Sequence, residues 1–235
     1  MIINPYRFAS GASRIFDGTD DFLTIANDAT LNFGDATNDS AFSITAWVKP
    51  TDNVRVFTFS MGSNTAREYG FGLNANGHLF LQLFDLTTSV YRLAIQETVI
   101  ANNVWTHIAA TYSGVGGTNA ENGIELYING TLQTSPTRSA VGGYVAMHDQ
   151  GQPAVIGVSY SGGTNYADSK IADVRVYSEE VSAANISTIE SGGSYTTNLV
   201  SQWIVNESLE DQVGTNDAAE GSGSSTTFST DYPPI

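Results

Sequence analysis

Residues 42–50 read FSITAWVKP, a run in which apolar and polar side chains alternate. A two-residue period places Phe42, Ile44 and Val48 on the same face of an extended strand. Pro50 ends the run because proline lacks the N–H that a strand ladder requires. This stretch therefore predicts a β-strand with one buried face.

The same pattern recurs on both sides of this strand. Further strands are predicted at residues 54–61, 69–73, 79–84, 91–95, 105–112, 124–128, 154–158, 171–177 and 199–205. The Asn- and Gly-containing segments 74–77 and 129–130 favour hairpin turns, because these residues accept positive φ. Ser182 is placed to cap a short helix over 183–190. Many short strands with one short helix predict an all-β fold, an antiparallel two-sheet jelly-roll sandwich.

A length of 235 residues suits one domain with short extensions. The pattern predicts an N-terminal arm over residues 1–11 and a sandwich over residues 12–210. Residues 211–235 are rich in Gly, Ser and Thr and are predicted to form a C-terminal tail.

Composition narrows the range of partners. The chain has 24 Asp and Glu against 9 Lys and Arg, a formal net charge of −15, which repels nucleic acid and anionic membranes. It has no Cys, which excludes thiol chemistry and Cys-ligated zinc. No apolar run approaches 18 residues, so no membrane insertion is expected, and the first residues lack the pattern of a signal peptide.

Six segments, in order, resemble laminin G-like domains of the concanavalin A-like lectin and glucanase superfamily. They are residues 16–22 (FDGTDDF), 42–50, 103–112 (NVWTHIAATY), 125–130 (ELYING), 155–157 (VIG) and 171–177 (IADVRVY). The resemblance covers about residues 12–192 and implies a concanavalin A-like jelly roll. This fold carries lectins, adhesins, glycosidases and structural modules, so it does not define a function.

The order of segments departs from the family at the end of the chain. Residues 199–207 look like the strand that often precedes the Phe-Asp-Gly turn in this family, yet here they come last. Two arrangements are compatible with this order. The strand closes the sandwich of its own chain, or it pairs with a neighbouring subunit as an edge strand.

No catalytic residues are predicted. Relatives that cleave β-glucans carry a Glu-x-Asp-x-x-Glu strand, and this chain has no such triplet. Its adjacent acidic pairs, such as Asp20-Asp21, would point to opposite faces of a strand and could not flank one bond. The histidines do not form a His-Glu-x-x-His motif. The sequence therefore predicts a protein that is not an enzyme.

Calcium is the ion that the resemblance suggests. Relatives with this fold often hold a structural Ca²⁺ with an Asp before the Val-Arg-Val-Tyr strand and oxygens near the chain start. Here the usual Asp position is Ala172, with Asp173 one residue later. Asp20 and Asp173 are the candidate metal ligands, because Ca²⁺ prefers carboxylate and carbonyl oxygens.

Sugar binding requires planar aromatic rings for the apolar face of the sugar and amides or other polar groups for its hydroxyls. Tryptophans 47, 105 and 203 lie within strand patterns and are expected in the core. The candidate ligand-binding residues are loop residues of the second half: Tyr144, His148, Tyr160, Asn165 and Tyr166.

These observations favour a non-enzymatic structural or adhesion module. The beginning of the chain, including residues 4–8 (NPYRF), resembles small virion proteins of tailed phages. The resulting hypothesis is a phage head-decoration or tail protein, located on the virion and facing the exterior. Its partners would be other virion proteins or further copies of itself, and host surface glycans. The alternatives are a bacterial carbohydrate-binding lectin or adhesin and a divergent glycoside hydrolase.

Overall fold

The computed structural model describes residues 13–51, 56–85, 89–205 and 208–234. Within these residues the chain forms two antiparallel eight-stranded sheets. The predicted all-β sandwich is confirmed. The predicted N-terminal arm, residues 1–11, lies outside the described residues, as does the start of the strand predicted from residue 54.

The strands are numbered along the chain. They are β1 Ser13–Asp17, β2 Leu23–Ile25, β3 Phe42–Pro50, β4 Val56–Gly62, β5 Arg67–Leu73, β6 His78–Phe84, β7 Tyr91–Val99, β8 Thr106–Tyr112, β9 Ile124–Ile128, β10 Thr131–Leu132, β11 Thr137–Val141, β12 Ala154–Ile156, β13 Asp168–Tyr177, β14 Leu199–Trp203, β15 Ala218–Glu220 and β16 Thr227–Ser229. The first sheet has the order β10-β9-β8-β3-β13-β1-β16, and β14 also pairs with β13. The second sheet has the order β11-β7-β6-β5-β4-β12-β2-β15.

Apolar side chains from both sheets meet in one core. Phe42 and Ile44 of β3 point inward from the first sheet, and Phe71 of β5 and Leu81 of β6 point inward from the second. Phe33 stacks on Phe42 with ring centroids 4.6 Å apart. Each large apolar side chain buried in this way contributes about 1.5–3 kcal/mol to folding. The face of β3 predicted to be buried is buried, but the opposite face is covered as well, since Ser43, Thr45 and Trp47 are at most 3% exposed.

The predicted helix, α1, spans Ala183–Glu190 and begins after Ser182, whose hydroxyl accepts a hydrogen bond from the Asn185 N–H. Its buried residues, Ile186 and Ile189, pack with Tyr177 and its neighbours against the outer face of the first sheet. Two short 3₁₀ segments occur at Ala29–Leu31 and Gly117–Gly123. Within the described residues, none of the helices has the length and apolar character needed to cross a bilayer. Because α1 covers part of the first sheet, the second sheet offers the more open outer face.

The end of the chain belongs to both sheets. The segment 211–235, predicted as a tail, supplies β15, which pairs with β2, and β16, which pairs with β1. Asp231 then accepts hydrogen bonds from Lys49 Nζ and from Trp105 Nε1, at 2.8 and 2.9 Å. Strands of three residues are too short to show a period, so composition alone suggested a tail. Trp105 is half-buried beside this segment rather than in the core.

The last long strand closes the sandwich of its own chain. β14 pairs antiparallel with β13, with Val174 opposite Trp203. The Trp203 ring is fully buried, and its Nε1 donates to the Asn216 carbonyl at 2.7 Å. Of the two arrangements that the sequence left open, the structure has the intramolecular one.

Candidate functional site

Strand β6 is apolar on both faces. It reads HLFLQLF over residues 78–84, and its three leucines are fully buried in the core. Phe80, Gln82 and Phe84 therefore point to the opposite, outer face of the second sheet. A strand whose outer face meets only water would carry polar residues there, and here Phe80 and Phe84 are covered by neighbouring side chains and are 5% and 1% exposed.

Two rows of side chains cross this outer face. In the first row, Phe57 of β4 lies opposite Gly72 of β5, which lies opposite Phe80 of β6 and then Ile95 of β7. The Phe57 and Phe80 rings meet edge to face with centroids 5.4 Å apart. Because Gly72 has no side chain, the sheet floor between the two rings is low.

The second row runs parallel to the first. Ser60, Gly70, Gln82 and Leu93 lie side by side on β4, β5, β6 and β7. Between the rows lies an open depression of about 230 Å³, which we call the aromatic groove. The aromatic groove is lined by Phe57, Asn74, Phe80, Gln82, Leu93 and Ile95.

Tyr160 extends the aromatic surface over Gly70. A Cβ added at Gly70 would lie closer than 3.0 Å to the Tyr160 hydroxyl, which shows how closely the ring lies on the strand. Tyr160 has a φ of +66°, a left-handed backbone conformation that costs a non-glycine residue about 1 kcal/mol or more. The loop that holds it is anchored by the Ser161 N–H, which donates to the Gly62 carbonyl at 3.0 Å.

Arg67 lies over this extension. Its guanidinium carbon is 4.5 Å from the centre of the Tyr160 ring and 5.4 Å from that of Phe84. The Tyr160 ring in turn contacts Phe57 and Phe84, with centroids 6.1 and 5.9 Å apart. A continuous aromatic surface thus connects the aromatic groove to one half-buried cation.

The Tyr160 hydroxyl is buried, and within the described chain it has no hydrogen-bond partner. Burial raises the pKa of Tyr160 above its usual range, and the nearby Arg67 offsets only part of this effect. The hydroxyl therefore stays protonated at neutral pH. A buried hydroxyl without a partner is costly unless a ligand or water completes it.

The structure separates the five predicted ligand-binding residues. Tyr160 lies on the outer face described above. Asn165 and Tyr166 belong to the same loop, where Asn165 Nδ2 donates to Ser159 Oγ at 3.1 Å. Tyr166 is half-buried, and its ring lies 6.2 Å from that of Phe22.

The remaining two predicted ligand-binding residues lie away from the aromatic groove. Tyr144 is 1% exposed, and its hydroxyl donates to Asp39 Oδ2 at 2.8 Å, so it serves the packing of the interior and is not available to a ligand. The guanidinium carbon of Arg92 also lies over the Tyr144 ring, 5.1 Å from its centroid. His148 is half-buried and forms an isolated β-bridge with Asp35. A sequence contains no distances between loop residues, so predicted loop position alone does not bring these residues next to Tyr160.

Strand residues of the aromatic groove were missed from sequence because strand aromatics were assigned to the core. The signal was present in β5, which reads YGFGL over residues 69–73. Its two glycines alternate with core residues, and a glycine inside a strand marks a close approach of other groups. Together with the apolar residues on both faces of β6, this pattern indicates that other groups pack on the outer face of the second sheet.

The two candidate metal ligands do not come together. Asp173 is 2% exposed, and both its carboxylate oxygens accept hydrogen bonds from Arg175, at 2.9 and 2.6 Å. Asp20 instead lies near Asp17 and Asp21, with carboxylate oxygens within 4.8 Å of one another. The Asp17 and Asp21 oxygens accept backbone N–H groups of the same turn and of the C-terminal segment, so turn geometry accounts for this acidic group. Calcium binding at Asp20 stays a prediction.

A second cleft, of about 490 Å³, lies at the strand ends near Thr30, Ser40 and Ser178. Phe33 is the one aromatic residue among its lining residues. That ring is 3% exposed and stacked on Phe42, so its faces are used within the core. This cleft is larger, but its single ring is packed in the core, whereas the aromatic groove is lined by two rings, of which Phe57 is half-buried.

Carboxylates are absent from the two rows that cross the aromatic groove. Glu68, the neighbouring acidic residue of β5, is 3% exposed and accepts the Phe33 N–H at 3.0 Å. Burial raises the pKa of Glu68 to about 8. Glycosidases of the retaining type need two carboxyl groups about 5–5.5 Å apart on either side of the bond. The described part of this face provides rings and an amide for binding in place of such a pair.

Comparison with known proteins places the chain in a family. The family model of the concanavalin A-like lectin/glucanases superfamily, of the laminin G type, matches residues 17–187. The chain belongs to this family, as the order of its sequence segments implies. Among curated proteins, none matches the chain.

Solved structures show the same fold at low sequence identity. A heptameric SAP-like pentraxin from Limulus polyphemus is 18% identical, with a TM-score of 0.54 over 93% of this chain and 94% of that one. A protein of Bacteroides ovatus described as carbohydrate-binding is 15% identical, with a TM-score of 0.61 over 94% of this chain and 60% of that one. The binding domain of botulinum neurotoxin serotype G is 15% identical, with a TM-score of 0.54 over 77% of this chain and 42% of that one. At these identities the likeness concerns the fold.

Proposed function

We propose that this chain is a non-enzymatic glycan-binding module, and that sugars bind along the aromatic groove on the outer face of its second sheet. The observation that carries the proposal is the pairing of apolar rings with two glycines of β5. Phe57 and Phe80 flank Gly72 across the sheet and meet edge to face, so that the pair of rings offers an apolar surface on which a sugar ring can pack. The apolar faces of sugars pack on such rings.

Polar groups at the edge of the aromatic groove supply hydrogen bonds to sugar hydroxyls. Gln82 is half-buried in the centre and Asn74 lies at one end. Amides both donate and accept, which matches a sugar hydroxyl that does the same. A shallow, open groove of this kind suits an extended oligosaccharide better than a small enclosed ligand.

Two further features support binding without catalysis. The rows across the aromatic groove lack the opposed carboxylates that glycoside hydrolysis requires. The similar structures include a protein described as carbohydrate-binding and a toxin binding domain, which makes a binding role the natural comparison. A chain with these properties would serve as a lectin or an adhesion module.

Where the module acts is a further part of the proposal. A place on a phage virion rests on the resemblance of the first residues, which lie outside the described residues. A bacterial lectin or adhesin fits the same site. Mass spectrometry of purified phage particles distinguishes them, because a virion protein is recovered in stoichiometric amount and a bacterial lectin is not.

The site is tested with a glycan array followed by titration calorimetry. The wild type is expected to bind one class of oligosaccharide, and Phe57→Ala to weaken that binding about tenfold or more, because an aromatic contact is lost. Gln82→Ala, a mild change at the same site, is expected to weaken binding several-fold. Phe228→Ala is the matched control, since Phe228 is 40% exposed on β16 of the other sheet.

Two results would contradict the proposal. One is the absence of binding to every glycan on the array by a folded wild-type chain. The other is equal affinity in the wild type, Phe57→Ala and Gln82→Ala, which would place the bound sugar elsewhere. Release of reducing sugar by the purified chain would contradict its non-enzymatic part.

A further inference from the structure

Arg67 is a cation that has no anionic partner among the described residues of a strongly acidic protein. Seven Lys and Arg residues lie within the described part of the chain. Five of them form ion pairs with carboxylates, as Arg175 does with Asp173 at 2.6 Å. A sixth, Arg138, donates to the Glu121 carbonyl. Arg67 has neither kind of bond within the described residues, and its Nε is buried without a partner.

The surroundings of Arg67 hold its guanidinium in place. The group lies over the Tyr160 and Phe84 rings at 4.5 and 5.4 Å, and the side chain is half-buried. Stacking on rings fixes the plane of the guanidinium, and its two terminal Nη groups, unlike the buried Nε, are the donors that a ligand can reach. Because the flexible side chain is already ordered, a ligand that accepts these donors meets a smaller entropic cost.

The net charge of the chain favours Arg67 over the rest of the surface as the place where an anion binds. With a net charge of −15, most of the surface repels an anion, and the carboxylates near other cations compensate them. At Arg67 no such compensation is present among the described residues. The Tyr160 ring beneath it is 2% exposed, so it serves as a packed platform for the guanidinium and is not itself open to a ligand.

We infer that Arg67, held on the Tyr160 ring, forms a subsite for a carboxylate-bearing sugar, so that the glycan bound in the aromatic groove is acidic. This inference rests on the proposed function. A guanidinium presents two parallel N–H donors that match the two oxygens of a carboxylate, whereas a neutral sugar offers only hydroxyls. The aromatic groove would then hold neutral parts of the glycan, and Phe57, which contacts the Tyr160 ring at 6.1 Å, connects the two regions.

Matched pairs of probes test the inference, each differing only in the carboxylate. Suitable pairs are trigalacturonate with its methyl ester, and sialyllactose with lactose. At least one acidic probe is expected to bind the wild type about tenfold tighter than its neutral counterpart, as is typical for a hydrogen bond to a charged group. The preference should shrink when salt is raised from about 0.05 to 0.5 M, since screening weakens charge interactions.

Three variants assign the preference to Arg67. Arg67→Gln should bind both members of the pair equally. Arg67→Lys keeps the charge without the planar fork and should keep part of the preference, which also covers the case in which the Gln variant fails to fold. Arg138→Gln removes the same charge from β11, whose Arg138 donates to the Glu121 carbonyl, and should keep all of the preference.

The outcomes separate this inference from the proposed function. Equal binding of acidic and neutral probes, or an unchanged preference in Arg67→Gln, overturns the subsite while binding that depends on Phe57 still supports the aromatic groove. The absence of binding to both acidic probes overturns the subsite, whereas the proposed function is overturned only if no glycan of the array binds.

Discussion

Gly70 allows the aromatic face to be perturbed by a single methyl group. In Gly70→Ala the new Cβ would lie closer than 3.0 Å to the Tyr160 hydroxyl, 3.1 Å from Cζ of the same ring and 3.6 Å from Ser60 Oγ. The strand backbone is fixed on both sides by β4 and β6, so the tyrosine must move. Moving it disturbs the ring contacts with Phe57 and Phe84.

The expected cost is that of inserting a methyl group into a packed site, about 1–3 kcal/mol of unfolding free energy. For a chain of this size each kcal/mol lowers Tm by roughly 2–4 °C. Urea unfolding measures the change, and the slope with denaturant should stay the same, because the surface exposed on unfolding hardly differs. Gly143→Ala is the matched control, since no atom lies within 4 Å of a Cβ added there. Its effect is expected within about 0.5 kcal/mol.

A double-mutant cycle with Tyr160→Phe identifies the clash. Tyr160→Phe alone should be neutral or stabilising, because it removes a buried hydroxyl that has no partner among the described residues. In the double variant the closest clashing atom is gone, so part of the Gly70→Ala loss should be recovered, with a coupling of about 0.5 kcal/mol or more. If Gly70→Ala is as stable as the wild type, or if the effects of the two substitutions on the unfolding free energy simply add, Tyr160 does not lie over Gly70 as described.

Three further predictions concern charge. The raised pKa of Glu68 means that, between about pH 4.5 and pH 8, the folded chain binds a proton that the unfolded chain has lost, so the wild type loses stability over this range. Glu68→Gln should remove this loss. Urea unfolding should find the variant more stable than the wild type by a few kcal/mol at pH 8.5 but not at pH 5. Asp231→Asn should lower the unfolding free energy by about 1 kcal/mol and this difference should shrink in 1 M salt, since its partners Lys49 and Lys170 are partly exposed; equal stability at low salt would show that the C-terminal segment is held otherwise. If Asp20 holds Ca²⁺, a chelator should lower Tm in wild type and not in Asp20→Asn, and an unchanged wild-type midpoint would dismiss the ion.

The fold could be predicted because its long strands have a clear two-residue period. The alternation in residues 42–50 and the register of β3 agree, with Ile44 and Val48 buried and fully enclosed. The helix could also be predicted, since Ser182 gives it a defined start. These signals are local, so they survive without knowledge of the rest of the chain.

The end of the chain could not be predicted in the same way. β15 and β16 have three residues each and contain mainly small or polar side chains. What places them is contact at long range, as when Arg14 pairs with Glu220 and Asp231 accepts from Lys49. Contacts across some two hundred residues leave no local pattern in a single sequence.

The candidate site was predicted only in part for a related reason. Tyr160 was selected as a loop aromatic and lies on the outer face, whereas Tyr144, selected by the same rule, is buried by its bond to Asp39. Loop position does not determine exposure. Phe57 and Phe80 are not among the predicted site residues, because a strand pattern alone does not tell which face an aromatic residue occupies, and the register beside Gly72 shows that they point outward.

Amide chemical shifts recorded while a bound oligosaccharide is titrated in test the location of binding most directly. If the outer face of the second sheet binds the glycan, the largest shifts should fall on Gly70, Gly72 and Gln82. Shifts concentrated instead on Thr30 and Ser178, which line the other cleft, would contradict the assignment of the aromatic groove as the binding site.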